Sequence, residues 1–440
     1  MKTSDQLLVG EVFIDFTVAT NTTPCKMRLG GIVHAARGLW ACGIPYSVAA
    51  ICPAYILSEV KDYLSKHGCK EFIHLGNVTG SPNLIVIGDA REVADQGYED
   101  VLRDTKRVEI SQNKNALSEF QTVTLFPGRY DIGDVLKSLS QNAQIIIDIA
   151  YNFTDKDLSA LPPSRIRALV TSTSSDLFQA KSRDNVDYFP ESLKKIDVPL
   201  FLLKENRGGS RLFDLIADRI HYIPSVLGST VNSVGVGDVY TAAFSGFLRD
   251  SPETAAWRGM QAATSYAQTT FPDDFKASVT RDIALPIEIV KGLGGVQLPW
   301  HERSEYNIYL AAPDFSYIDK REIDEAVRSL QYHNFKIRRP IQENGEATQG
   351  ADTSNLLHFY TKDLELLEQC VAVFSIPLNR DPGTLIETGW AIAKRKPVIT
   401  FDPRKENNNT MVMCGSDVYS SDLDTCLNGL FNCVSKLRVP

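Results

Sequence analysis

The chain predicts an α/β protein of two doubly wound parallel-sheet domains, a larger one over residues 1–300 and a smaller one over 301–440. Three observations predict it. Short runs rich in Val, Ile and Leu alternate with helix-patterned segments, as in strands joined by crossover helices. Two turns, Asn232–Asp238 and Asp381–Glu387, run straight into helices and carry glycine and a carboxylate. A stretch dense in Gly, Pro and charge, Leu293–Ser304, reads as a short linker. At 440 residues the chain exceeds one ordinary core.

Composition narrows the class. Hydrophobic residues make up 43% and charged residues 23%, as in soluble globular proteins. A net charge of −8 argues against nucleic acid or an anionic membrane as partner. No apolar run approaches the roughly 18 residues of a membrane-spanning helix. Met1–Gln6 leads directly into a strand with no signal-peptide pattern, and the eight cysteines are scattered without a C-x-x-C pair. Reduced thiols, a cytoplasmic location and no metal site are the expectation.

In chain order, Leu7–Asp15 reads as a first strand ending in a carboxylate. Leu29-Gly30-Gly31 leads into a helix over Ile32–Cys42 with Gly43 at its end, and Tyr46–Cys52 is the next strand. Glu59–His67 is helical. Residues 76–130 contain short alternating stretches that suit a small lid. Ala143–Ala150, Ile166–Thr171 and Val198–Leu203 are further strands. Asn232-Ser233-Val234-Gly235-Val236-Gly237-Asp238 then opens a helix. Glycines let backbone N–H groups approach an anion, and a helix N-terminus presents a positive dipole end. Asp238 reads either as a base for a substrate hydroxyl or as an ordinary acidic first-turn residue.

This stretch resembles the Asp-Thr-x-Gly-Ala-Gly-Asp motif of the ribokinase-like (PfkB) carbohydrate and nucleoside kinases. Gly10 with Asp15, and Gly30-Gly31, match the family's opening strand and early double glycine, so the resemblance covers about residues 5–295. It implies a ribokinase-like domain with Asp238 as catalytic base and Gly235, Val236 and Gly237 as the anion hole. Asp15, Gly30 and Gly31 would hold the sugar, with ATP and Mg as cofactors. There are departures. Asn232, Ser233 and Val236 replace the family's Asp, Thr and Ala, and His34 or Ala35 stands where a substrate Asn is expected. The Asn-x-x-Glu motif linked to magnesium is not evident near Thr171–Asp176, and Asn206 takes the Gly of a Thr-x-Gly turn. An active kinase and a degenerate ligand-binding or assembly domain both remain open.

After a last helix near Ala284–Gly292 and the linker, Tyr306–Ala312 is a strand running into a Pro313 loop. A helix over Asp319–Tyr332, a strand at Phe335–Arg338, an irregular loop from Gln342 to Asn355 and a helix over Asp363–Cys370 follow. Val371–Ile376 is a buried strand, Thr384–Ala393 a helix, Val398–Phe401 a strand and Asp422–Leu437 a closing helix. Ligands of such sheets sit at the carboxyl ends of the strands, where Asp381 and Glu387 fall. Thr384-x-x-Glu387 also reads as a capping box, which would explain both residues without chemistry.

Tyr309–Phe315 together with Asp381-x-Gly383-Thr384-x-x-Glu387-x-Gly389-x-Ala391 and Lys396-Pro397-Val398 resembles the nucleoside 2-deoxyribosyltransferase family, over about residues 305–440. The resemblance implies a flavodoxin/Rossmann-like parallel sheet, Glu387 as the nucleophile on the anomeric carbon and Asp381 as acid/base assistance. Tyr309, Asp314, Phe315, Asp363, Gly383 and Thr384 would bind substrate. A late Asn, Asn409 or Asn408, would complete a neighbouring subunit's site, so a homo-oligomer is implied. No cofactor is expected for this domain. Cys370 departs from an Asp common in the family. Two carboxylates suit the chemistry: one meets positive charge developing on the sugar, the other handles the proton of the leaving base.

Of the remaining residues, Arg338 and Arg339 read as a solvated pair unless the substrate carries phosphate, for which guanidinium forks are suited. His333 and His358 suit surface or capping roles, and Trp390 core packing. The preferred function is cleavage or base exchange of an N-glycosidic bond in a (deoxy)nucleoside or nucleotide, joined to a domain that phosphorylates or binds the sugar or nucleoside. The alternative is an ATP-dependent sugar or nucleoside kinase with a nucleotide-sensing C-terminal domain. A pair of non-catalytic binding domains is a third reading. The partners in every case are small molecules.

Overall fold

The structure, a computed structural model, describes residues 2–20, 24–100, 105–111, 113–346, 350 and 352–438. It divides into two compact units: residues 1–92, 96–226 and 230–297, and residues 93–95, 227–229 and 298–440.

The first unit contains β1 (Lys2–Thr17), β2 (Lys26–Gly31), β3 (Tyr46–Ile51), β4 (Cys69–Thr79), β5 (Leu84–Ile87), β6 (Glu99–Asp100) and β7 (Arg107–Ile110). It continues with β8 (Phe120–Leu125), β9 (Gln144–Asp148), β10 (Ile166–Ser172), β11 (Leu200–Lys204), β12 (Ser210–Asp214) and β13 (Arg219–Ile223). Along the main sheet the order is β13-β12-β11-β10-β9-β8-β1-β3-β4-β7. The pairs from β11 to β4 are parallel, and antiparallel strands close both edges. β3 and β11 are buried along their whole length, because a parallel sheet is covered on both faces. Leu200, Leu202 and Leu212 pack against Phe244, Trp257 and Met260 on one face. Phe201 stacks on Phe189 on the other.

β1 belongs to two sheets. Its first half is central to the main sheet, while Val12–Thr17 continues outward to pair with β2 and β5, and β6 adds to β5. The expected lid is therefore built differently. Residues 26–31, 84–87 and 99–100 form it, whereas 107–110 and 120–125 join the main sheet. Residues 101–104 and 112 of that region lie outside the described residues. The double glycine is required where β2 pairs with β1, opposite Val12 and Phe13. A Cβ on Gly30 would stand 2.0 Å from Asp15 Oδ1, and Gly31 has φ of 60°.

The second unit is a five-stranded sheet of β14 (Asn307–Ala311), β15 (Lys336–Arg338), β16 (Ala372–Ser375), β17 (Val398–Phe401) and β18 (Val418–Ser420). Its order is β15-β14-β16-β17-β18, all parallel. The strand order reverses between β14 and β16, so the crevice for a ligand opens at their carboxyl ends.

Two expectations fail here. Leu293–Ser304 is not linker throughout: Trp300–Arg303 is a helical turn, with Arg303 0% and Leu298 0% exposed. The irregular loop is also shorter than expected. Pro340–Asn344 is helical, and the helix expected from Asp363 begins at Thr353, where the Asp352 side chain caps Asn355 N–H. Its early turns expose Leu356, Leu357 and Tyr360, so no buried periodicity marks them. Residues 347–349 and 351 of that loop lie outside the described residues. Among the described residues no helix is long and apolar enough to cross a membrane.

Candidate functional site

Glu387 stands in the helix Pro382–Ala393, which follows β16. The helix is tied down from the sheet: Ser375 Oγ on β16 lies 2.8 Å from Thr388 Oγ1, which itself donates to Thr384 O. On β14, buried Tyr309 donates its hydroxyl to Glu387 Oε1 at 2.6 Å. The side chains flanking the β14/β16 crevice thus meet at this carboxyl. Burial pushes Glu387 up to about 8; the Tyr309 hydrogen bond opposes the shift, and the charges of Asp363 and Asp381 add to it. Burial also raises Asp363, against the bond it accepts from Asn344 at 2.8 Å.

The capping box is overturned. The helix begins at Pro382, and Asp381 is its cap, accepting from Thr384 N at 2.7 Å and from Thr384 Oγ1 at 2.8 Å through Oδ2. Glu387 lies beyond the first turn and caps nothing, so its carboxyl is left for other work. Asp381 is half committed, its Oδ1 making no hydrogen bond among the described residues. Gly383 is exposed beside it.

Asp314 is buried and held by Arg339 through two bonds of 2.8 Å and by Lys320 at 3.1 Å. Arg338 is held by Glu343. The two arginines are therefore neither a solvated pair nor free for phosphate; Arg339 fixes the loop after β14. Phe315 stacks on Tyr317, ring centres 5.4 Å apart. Asn409 caps the helix Thr410–Gly415 by accepting from Met411 N, whereas exposed Asn408 has no such bond. His333 is fully buried at a helix C-terminus rather than on the surface, and Trp390 packs against the core as expected. A cleft of about 740 Å³ lies on the other face of the Glu387 helix, along Leu385, Thr388, Gly389 and Ile392, away from the carboxyl.

In the first unit the helix Val236–Phe247 starts from Gly235. Its φ of 83° favours glycine, and a Cβ at this position would stand 2.2 Å from His34 Cγ, which excludes any side chain. Asp238 lies in the first helical turn. Burial pushes it up to about 8, with Asp148 and Asp15 adding and Lys204 opposing. Buried Lys204 bonds Asp148 at 2.7 Å and reaches Gly237 O and Thr241 Oγ1 at 3.2 Å. Asp15 is buried, and its Oδ2 faces His34 Nε2 at 2.8 Å. His34 thus stands on Asp15, and Ala35 is buried core. Asn206 adopts φ of 52°, the left-handed shape its Gly counterpart would take.

A magnesium nucleotide is what the resemblance implies here. Asp148 already holds the Lys204 ammonium, and no cluster of three His, Cys, Asp or Glu among the described residues suits a metal. Magnesium on a nucleotide is held mainly by water and phosphate oxygens with one or two carboxylates, so a three-residue cluster is not required of such a site.

Sequence reasoning missed the Tyr309–Glu387 bond, the Lys204–Asp148 pair and the Arg339–Asp314 pair. Each joins residues from different strands or loops. Only the placement of Tyr309 one strand from the Glu387 helix was a usable signal.

Residues 308–428 match the model of the family described as "Nucleoside 2-deoxyribosyltransferase". No curated protein matches the chain. Among solved structures, a ribokinase from Cryptococcus neoformans var. grubii serotype A in complex with ADP is 15% identical, with 63% of this chain and 99% of that chain covered and a TM-score of 0.48. A ribokinase from Giardia lamblia is 13% identical over 64% of this chain and 99% of that one, with a TM-score of 0.47. An adenosine kinase from Sinorhizobium meliloti is 13% identical over 64% and 99%, with a TM-score of 0.49. Residues 308–428 form a nucleoside 2-deoxyribosyltransferase-like domain.

Proposed function

We propose that the C-terminal unit cleaves, or exchanges the base of, an N-glycosidic bond in a (deoxy)nucleoside or nucleotide, with Glu387 as nucleophile. The observation that carries this is the Tyr309–Glu387 hydrogen bond at a strand-order reversal, inside the stretch that matches the transferase family. A Glu387 oxygen bonds to the anomeric carbon as the C–N bond breaks, and the base leaves with the electron pair and takes a proton. Asp381 supplies the acid/base assistance, and Asp363 belongs to the substrate site. An acceptor base or water then displaces Glu387 from the sugar. Tyr309, Phe315, Gly383 and Thr384 shape the substrate site, and Asp314 holds the loop that carries Phe315. A late Asn from a second copy completes it, which makes the protein a homo-oligomer.

Incubating the protein with a panel of nucleosides and nucleotides and following free base by chromatography tests this reading. A second base supplied in excess separates transfer from hydrolysis. No base released from any member of the panel would sink it.

The pH dependence follows from the raised Glu387. Attack needs the carboxylate, so kcat/KM is expected to rise with pH along a limb near 8. Tyr309→Phe removes the donor that favours the charged form, so the limb should move to higher pH. A limb that stays in place would detach Tyr309 from the reacting carboxylate.

The first unit is read as phosphorylating or binding the sugar or nucleoside, with Asp238 as base. Its half-buried carboxyl beside the Gly235–Gly237 turn supports this. Asp238→Asn is expected to lower ATP-dependent phosphate transfer by about 10²–10⁴-fold. Transfer that survives Glu387→Ala and is lost in Asp238→Asn would favour the kinase reading. Transfer that Asp238→Asn leaves intact would exclude Asp238 as base.

A further inference from the structure

We infer that the first unit takes a pentose bearing a phosphate group, and that Arg28 selects it. This rests on the reading of Asp15 as a sugar-binding residue, and deepens it by naming the class of sugar.

A neutral sugar is held chiefly by its hydroxyl groups, and a carboxylate is the usual acceptor for them. Here the carboxylate is already engaged. Asp15 is 5% exposed, its Oδ2 takes His34 Nε2 at 2.8 Å, and Arg28 Nε stands 3.6 Å from the same oxygen. Its Oδ1 is packed over Gly30. His34 does not add a charge. It is buried between Asp15 and the Tyr266 hydroxyl at 2.7 Å, and burial pushes it down to about 4. The neutral ring therefore donates through Nε2 and accepts through Nδ1.

What remains beside Asp15 is donors. Arg28 lies on lid strand β2, and its Nη2 reaches across to Asn232 Oδ1 at 2.8 Å and Val234 O at 2.7 Å. Its Nε is buried and makes no hydrogen bond, and its Nη1 makes none among the described residues. The Nε lies too far from Asp15 Oδ2, at 3.6 Å, for a hydrogen bond, so the fork favours a ligand that brings acceptors. A ligand suited to these groups brings acceptors and negative charge. A phosphate monoester does both, and its oxygens match the guanidinium fork.

The ester has two sources, a free pentose phosphate and a nucleoside 5′-monophosphate. Calorimetry on the full chain with ribose, ribose 5-phosphate and AMP separates them. Ribose 5-phosphate or AMP is expected to bind at least about tenfold more tightly than ribose. Arg28→Gln should erase most of that preference, and Arg28→Lys, which keeps the charge without the fork, should retain part of it. Melting temperature follows folding of the variants. Equal binding of ribose and both esters by the wild-type protein overturns the inference. So does absence of binding by either ester, or a preference that survives in folded Arg28→Gln. Base release, with Glu387→Ala as its control, reports on the other site, so failure here is told apart from failure there.

Discussion

Replacing Glu387 by alanine is expected to remove base release from the preferred nucleoside, by on the order of 10³–10⁶-fold in kcat. The size follows from the role: without a carboxylate beneath the anomeric carbon, neither covalent attack nor charge stabilisation remains. The same site makes an opposite prediction for stability. The folded protein holds Glu387 at about 8, above the 4.5 of an ordinary glutamate, because burial disfavours its charge. A carboxyl raised on folding contributes most to stability when it is protonated. That contribution falls as pH rises from about 4.5 through 8, and above 8 the full cost of the buried charge is present. Glu387→Gln should therefore be inactive yet more stable near neutral pH, on the order of 2–4 kcal/mol, read as a melting temperature several degrees higher. Gln can still accept from Tyr309. A Gln variant that melts lower than wild type would contradict the electrostatic account, and one that releases base at the wild-type rate would remove Glu387 from the chemistry.

Arg303→Ala is expected to be among the most destabilising single changes in the C-terminal unit, about 3–5 kcal/mol. Arg303 is 0% exposed and is the largest fully buried side chain among the described residues. It donates to Leu298 O at 3.0 Å and His333 O at 3.4 Å, and its guanidinium lies 5.4 Å from the Trp300 ring and 5.0 Å from that of Phe431. Truncation leaves a cavity and buried carbonyls that lose their donor. Beside it, Glu302 pairs with Arg438 at 2.6 Å, so the start of the unit is joined to its last helix. Arg303→Met keeps most of the volume and loses the donors, so it should fall between wild type and Ala. Thermal melts of the three proteins decide it. A melting temperature for Arg303→Ala within a degree of wild type would show that the buried cation contributes nothing.

Much of this protein was determined by sequence alone. Apolar runs located β3, β9, β10, β11, β14, β15, β16 and β17 to within about two residues, since a buried parallel strand must be apolar along its length, whereas β2, β4, β12, β13 and β18, which carry more polar residues, were not read as strands. The turns at Gly235 and Asp381 were legible for a similar reason. Each needs residue types that few others replace: glycine where φ is positive against a histidine ring, and a short acidic side chain where a helix begins. Local chemistry of this kind is written in adjacent residues.

Tertiary structure decided the rest. Whether Glu387 caps its helix or faces a crevice depended on where the helix begins, and the side chain of Asp381, not Thr384, settles that start. That Tyr309 lies against Glu387, 78 positions later, follows from β14 and β16 being neighbours. Lys204 with Asp148 and Arg339 with Asp314 pair charges that lie 56 and 25 positions apart in the chain. The Leu293–Ser304 stretch, polar and rich in Gly and Pro, looked like a connection because composition reports average polarity. It does not report that one arginine, shielded by two aromatic rings and two carbonyls, is buried outright. Periodicity and turn chemistry act between neighbours in sequence, whereas partners for buried charge are found only once the sheets have brought distant strand ends together.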